Sequence, residues 1–329
     1  MRNLITDVPG LRVGQMADPA LASGVTAVLF DQPAVASIAI HGGAPGVRDT
    51  ALLAPGMTVG VVDALVLSGG SAFGLDAMGG VSAWLREQGR GFAVRDARVP
   101  IVPGAILFDL LNGGDKRWSR RPPYWDMGYA AATQAAHDFA LGTAGAGYGA
   151  NTANLKGGLG SASAMTASGF HVGAIVAVNA VGTAIIGKGP HFWAAPYERG
   201  TEFSGIGMPA RIFEDGHAML LKGDGPENTT IAIVATDARL TKAQCERVAV
   251  MAQDGMAHAL RPAHAPMDGD VVFAAATGLA GEPSIRDLTE IGMLAADTLA
   301  RAIARGVYEA TALPFDGALP SWQERFGRR

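Results

Sequence analysis

The stretch best equipped for chemistry is Asn228-Thr229-Thr230. There a turn rich in Gly, Pro and acids, Asp224-Gly225-Pro226-Glu227, gives way to the apolar, β-branched run Ile231-Ala232-Ile233-Val234. In an intact chain Thr229 is an ordinary β-former. With the preceding peptide bond cut, it would carry a free α-amine beside its hydroxyl. Such an amine, with a pKa near ~7.7–8, suits a general base at neutral pH, which a peptide nitrogen does not. Three further polar features stand at strand edges: Lys156 in a Gly-rich turn, Asn179 at the tip of the apolar run 171–178, and Asp268/Asp270 just before the run 271–276. Singly, each has a plain reading as a solvated turn lysine, a turn-satisfying amide and a strand cap. An amide at the tip of so apolar a strand is nevertheless costly to bury without partners.

Other chemistries find little support. The seven histidines show no metal-ligand spacing, and no Gly-x-Ser-x-Gly string marks a serine hydrolase. Asp268-Gly269-Asp270 lacks the spacing of an EF-hand loop. Ser68-Gly69-Gly70-Ser71 and Gly145-Ala146-Gly147-Tyr148-Gly149 resemble fragments of phosphate-cradling loops. Neither has the Lys-Ser/Thr ending or the full dinucleotide fingerprint, so small-residue packing is the preferred reading and nucleotide binding the alternative. No cofactor or metal is expected.

The elements that must position these residues read as follows. Strands are expected at 25–30, 34–40, 64–67, 171–178, 229–236 and 271–276. Helices are expected at 71–88, 126–140, from the capping box Thr241-Lys242-Ala243-Gln244 to about 260, and at 285–303, where Leu288, Ile291, Ala295, Leu299 and Ile303 form one apolar stripe. Residues 112–125 form a basic, aromatic loop, and 187–226 give no periodic signal. Strands alternating with helices, several of them wholly apolar, imply an α/β (α+β) protein with sheets covered by helices. The 329 residues are 49% hydrophobic and 17% charged, with 45 glycines spread among apolar runs, which fits a well-packed globular protein without disordered tracts. A net charge of −4 without charge blocks gives no support for nucleic-acid or membrane-surface binding. With one cysteine, no secretory signal and no long apolar span, a cytoplasmic protein is expected.

Taken together and in order, Asn228-Thr229-Thr230-Ile231, Met267-Asp268-Gly269-Asp270, Val178-Asn179-Ala180-Val181-Gly182 and Lys156 resemble the N-terminal-nucleophile hydrolases of the DmpA-type aminopeptidase/esterase and β-peptidyl aminopeptidase family (peptidase family S58). Within it the site motifs are most similar to nylon-oligomer (6-aminohexanoate-oligomer) hydrolase. Thr6-Asp7-Val8-Pro9-Gly10, Gly42-Gly43-Ala44-Pro45-Gly46 and 67–75 extend the resemblance over about 4–305. It implies an αββα sandwich of Ntn-hydrolase type, a homotetramer, and a single domain, 1–329, that cuts itself between Asn228 and Thr229 into 1–228 and 229–329.

The resemblance further implies an amidohydrolase for small peptides or ω-amino-acid oligomers. Thr229 would be the nucleophile and Asn179 the oxyanion donor, a role worth roughly 3–4 kcal/mol where such donors have been deleted. Lys156 would lower the pKa of the amine, and Asp268 and Asp270 would hold the ammonium or hydroxyl. Phe108 stands where the nylon enzyme is expected to have a tyrosine, which removes a hydroxyl from the pocket. The competing readings are an acyltransferase of the ornithine acetyltransferase type and a Gly-rich nucleotide-binding protein.

Overall fold

The computed structural model describes residues 1–222 and 228–327. The turn expected at 224–227 therefore lies outside the described residues. In the first half of the chain the strands are β1 (Leu11–Asp18), β2 (Ser23–Ile40), β3 (Val47–Arg48), β4 (Val62–Ser68), β5 (Phe92–Val94), β6 (Ala97–Val99) and β7 (Gly104–Ile106), and the helices are α1 (Ala77–Glu87) and α2 (Tyr124–Thr133). The second half contains β8 (Gly158–Met165), β9 (His171–Asn179), β10 (Thr229–Thr236) and β11 (Val271–Ala276). Its helices are α3 (Glu214–His217), α4 (Lys242–Ala252), α5 (Asp254–Ala259), α6 (Ile285–Tyr308) and α7 (Trp322–Phe326). None of these helices is long and apolar enough to cross a membrane.

The long strand β2 joins two sheets. Its first half pairs with β1 on one edge and β4 on the other, and β4 continues through β7 to β3. Its second half pairs with β11, which leads through β10 and β9 to β8. The sequence suggests two strands here, broken at Asp31-Gln32-Pro33; the structure has one. The register with β4 shifts between Leu29 and Ala34, and Asp31, Gln32 and Pro33 there are exposed. A bulge is where a strand tolerates a residue with no N–H, and here it is also where β2 exchanges one neighbour for another.

Three apolar layers result. Ile175, Ala177, Ile231, Ile233, Val271 and Phe273 meet Val28, Phe30, Leu65 and Leu67 between the two sheets. The alternate residues Val176, Val178, Ala232, Val234, Val272 and Ala274 pack beneath α4, α5 and α6. Val25, Ala27, Leu29, Ala64 and Val66 pack under α1 and α2. Strands buried on both faces have no polar side to alternate with, which is why they read as unbroken apolar runs. The architecture is the αββα sandwich.

Helix ends differ modestly from the sequence reading. The 71–88 segment opens with a 3-10 stretch, Ser71–Asp76, before α1. The helix expected at 126–140 stops at Thr133, because Ala136 leaves it to bridge Val13 on β1. The Thr241–Gln244 capping box forms as expected, with Gln244 N–H donating to the Thr241 hydroxyl. Helix α6 runs one turn past Ile303, and Val307 in that turn is fully buried.

Candidate active site

Thr229 is the first residue of β10 and lies directly across the antiparallel ladder from Asn179, the last residue of β9. Cross-strand partners share a face, and the alternation Thr229, Ile231, Ile233 turns that face toward the space between the sheets. On the other edge of β10, Asn228 forms a parallel bridge with Asp268, extending the β10–β11 pairing past the end of β11. One strand end therefore gathers Asn179 from one side and the Asp268–Asp270 loop from the other. Thr229, Asn179, Asp268 and Asp270 are all at most 5% exposed.

The Asn228 carbonyl accepts two hydrogen bonds at the junction. It accepts the Gly269 N–H at 3.1 Å and a short hydrogen bond from the Thr229 hydroxyl. Thr229 Oγ thus sits against the peptide bond that precedes it. Gly269 permits this approach. A Cβ at that position would lie 2.7 Å from Thr229 Oγ and 2.9 Å from the Ala44 carbonyl. The Gly42-Gly43 turn backs the same loop: His41 and Gly42 N–H groups donate to the Asp270 carbonyl, and Ala44 N–H to that of Asp268.

The Asn179 side chain is oriented by its partners. Oδ1 accepts from the Asn151 N–H at 3.0 Å and from Lys222 Nζ at 2.7 Å, while Nδ2 donates to the Phe108 carbonyl at 3.0 Å. The flipped amide would set its NH2 against two donors, so the hydrogen-bond network decides the orientation. A cation on Oδ1 also polarises the amide and makes Nδ2–H a better donor. Phe108, expected as a pocket side chain, contributes a main-chain carbonyl to this arrangement. The next residue, Asp109, is fully buried and accepts from Ser23 Oγ at 2.6 Å and the Gly70 N–H at 2.8 Å. The Ser68–Ser71 turn therefore directs an amide at a protein carboxylate, as a packing turn does.

Lys156, expected to act on the Thr229 amine, is 1% exposed. Its ammonium sits in a cage of carbonyls, 3.1 Å from Gly147, 2.7 Å from Ala150 and 2.8 Å from Gly157. Among the described residues these are its hydrogen-bond partners, and Thr229 is not one of them. Burial, reinforced by Lys222 and opposed by Asp109, brings its pKa down to about 7. The lysine that touches Asn179 is Lys222. It lies in the segment without periodicity, and only its place seven residues before Thr229 in a Gly-rich turn could have drawn attention to it.

The two aspartates divide their roles. Asp270 takes the Thr230 N–H on Oδ1 at 2.8 Å, and on Oδ2 both the main-chain N–H and Nδ1 of His264, each at 3.0 Å. Asp268 accepts from Gly269 N–H and also hydrogen-bonds Asp270. Burial first, and then the charge of Asp270, push the Asp268 carboxyl up to about 9, with Lys222 pulling the other way. Asp268 thus keeps its proton at neutral pH.

This has a consequence for stability. An unfolded Asp268 ionises near the ordinary 3.8, whereas the native group holds its proton to about 9. Between those values the native group binds more protons than the unfolded one, so the contribution of Asp268 to stability falls as pH rises. Asp268→Asn, which stays neutral, should flatten the fall in melting temperature between about pH 5 and 8. Equal slopes for variant and wild type would refute the assignment.

A model of peptidase family S58 matches residues 3–318 of this chain. The chain belongs to that family. An uncharacterized aminopeptidase of Mycobacterium tuberculosis is 42% identical, with 98% of each chain covered. A 6-aminohexanoate-oligomer endohydrolase of Kocuria sp. is 26% identical over 82% of this chain and 74% of its own length. The structure of L-aminopeptidase D-Ala-esterase/amidase from Ochrobactrum anthropi, described as a variant of the Ntn hydrolase fold, superposes with a TM-score of 0.71 at 21% identity, covering 98% of this chain and 92% of that one. Membership of family S58 makes the chain a peptide-bond hydrolase. Its layers are those of the Ntn fold, with one face of β10 turned to the interior between the sheets.

Proposed function

We propose that the protein is a self-processing threonine amidohydrolase in which Thr229, freed by cleavage of the Asn228–Thr229 bond, is the nucleophile. The observation that carries this reading is the Asn228 carbonyl, which has the Thr229 hydroxyl against it and the Gly269 N–H on its oxygen. The hydroxyl gives its proton to water as its oxygen adds to the carbonyl carbon, and charge develops on an oxygen that already has a donor. As the C–N bond breaks, the Thr229 nitrogen takes up a proton, which the neutral Asp268 carboxyl can supply. Water then opens the ester, leaving a carboxylate on Asn228 and a free amine on Thr229. The fragments 1–228 and 229–329 remain one folded unit, because β10 is hydrogen-bonded on both edges and its β9 neighbour belongs to the first fragment.

In the cleaved enzyme the Thr229 amine accepts the hydroxyl proton as Oγ attacks a substrate amide. Asn179 Nδ2, polarised through Lys222, donates to the developing oxyanion, and the amine returns the proton to the leaving nitrogen. Lys156 adds positive charge from behind its carbonyl cage. The relatives' activities direct the substrate reading toward small peptides and ω-amino-acid oligomers. A cytoplasmic homotetramer, with the exposed Phe213, Met219 and Leu220 as surface to cover, completes the proposal.

Mass analysis and N-terminal sequencing of the purified protein provide the test. Fragments of roughly 23 and 10 kDa from the 33.7 kDa chain are expected, the smaller beginning at Thr229. An uncut chain that hydrolyses amides at full rate would eliminate the mechanism. A panel of β-peptides, amino-acid anilides and 6-aminohexanoate oligomers then separates the substrate classes.

A further inference from the structure

The Asp268–Asp270 pair is connected to the surface through one side chain that the mechanism above does not use. His264 directs both its main-chain N–H and Nδ1 at Oδ2 of Asp270, each at 3.0 Å. The Asp270 side chain is wholly buried, whereas that of His264 is 22% exposed. The imidazole therefore spans the distance from the buried carboxylate to solvent. The exposed His41 meets it edge-on, with ring centroids 5.3 Å apart. His264 also holds a φ of 57°, a left-handed backbone that residues with a Cβ seldom adopt and that tends to persist where function requires it.

We propose that His264 is a positioning residue for the reaction at Thr229 and the route by which the Asp268–Asp270 pair exchanges a proton with solvent. The proposal rests on the reading of Thr229 as nucleophile. Its positioning part is direct. With Oδ2 held by His264, Asp270 presents Oδ1 to the Thr230 N–H, which fixes the residue after the nucleophile. The relay part balances as follows. When Asp268 gives its proton to the Thr229 nitrogen, the pair is one proton short. His264 takes up at Nε2 the proton that solvent water received from the Thr229 hydroxyl and releases the one on Nδ1 to Asp270, so the pair is restored, the ring returns to neutral as the other tautomer and no net charge is left behind. The charged groups around this path are Asp270, His41 and, acting on His41, Asp254 at the start of α5; Lys222 acts on Asp268 from the far side.

Two variants separate positioning from relay. His264→Gly accepts the left-handed backbone and keeps the main-chain N–H while removing the ring. His264→Asn tolerates the same backbone and can keep a side-chain N–H on Asp270, but does not titrate. Loss of the ring should slow fragment formation roughly tenfold to a hundredfold, the worth of a hydrogen bond to a charged group, and the Asn variant should recover much of that loss. Both should change the pH dependence of the rate, because neither can pass a proton between Nε2 and Nδ1. A Gly variant with the wild-type rate and profile overturns the proposal, and an Asn variant with the wild-type profile overturns the relay.

A second measurement does not depend on cleavage. The melting temperature of Thr229→Ala, with and without His264→Asn, is followed against pH. Curves that diverge with pH support the coupling, and parallel curves overturn it. A wild-type chain that never cleaves would remove the nucleophile reading and leave this comparison standing.

Discussion

Thr229→Ala will run as a single band of 33.7 kDa and will lose amide hydrolysis by at least about a thousandfold, whereas Thr229→Ser will still cut. The substitution removes the only atom placed to attack the Asn228 carbonyl from within the same residue. It removes little else. Thr229 is 5% exposed at the end of a strand whose ladder is main chain, so alanine keeps every backbone hydrogen bond of β10. A melting temperature within a few degrees of wild type would show that lost cleavage is not lost folding. Cleavage at 228/229 in the alanine variant would end the proposal, since the hydroxyl held against that carbonyl is that of Thr229.

The second large effect is expected from a residue with no side chain. Gly269→Ala places a methyl group 2.7 Å from Thr229 Oγ, 3.0 Å from its Cγ2 and 2.9 Å from the Ala44 carbonyl. One contact is with backbone of the turn that backs the loop, so the loop cannot retreat freely, and the displacement falls on Thr229 or on the Gly269 N–H. A shift of about 1 Å in a reacting group can cost on the order of a hundredfold, so self-cleavage should slow by that order. The fraction of cut chain against time after synthesis measures it. Cleavage at the wild-type rate, with the melting temperature retained, would show that the close approach of Gly269 is unimportant. This result is independent of the substrate, because the peptide being cut is the protein's own.

Much of the core framework is legible in the chain. Apolar runs buried on both faces identify β9, β10 and β11 by composition alone. The apolar stripe of α6 and the capping box of α4 follow from local spacing. Strand tips are legible in the same way, which is why Thr229, Asn179 and the aspartates stand out as polar residues bounding apolar runs. Where the reading departs from the structure, the cause is a contact distant in sequence. Pro33 suggests a break, and only the exchange of β4 for β11 as neighbour lets one strand run through it. Residues 134–140 carry helix-compatible composition, but pairing with β1 takes Ala136 out of the helix.

By itself, the amino-acid sequence determined the kinds of groups present and their places at strand edges: a hydroxyl after a turn, an amide after a strand, two carboxyls before one. These follow from periodicity and turn chemistry, which act over a few residues. Only the tertiary structure decided that Thr229 lies opposite Asn179 and that Lys222 touches the Asn179 amide. It likewise decided that His264 closes on Asp270 and that burial beside Asp270 raises the Asp268 pKa. The reason is that distance and burial set hydrogen bonding and charge state, and both arise where segments far apart in the chain converge on the same strand end.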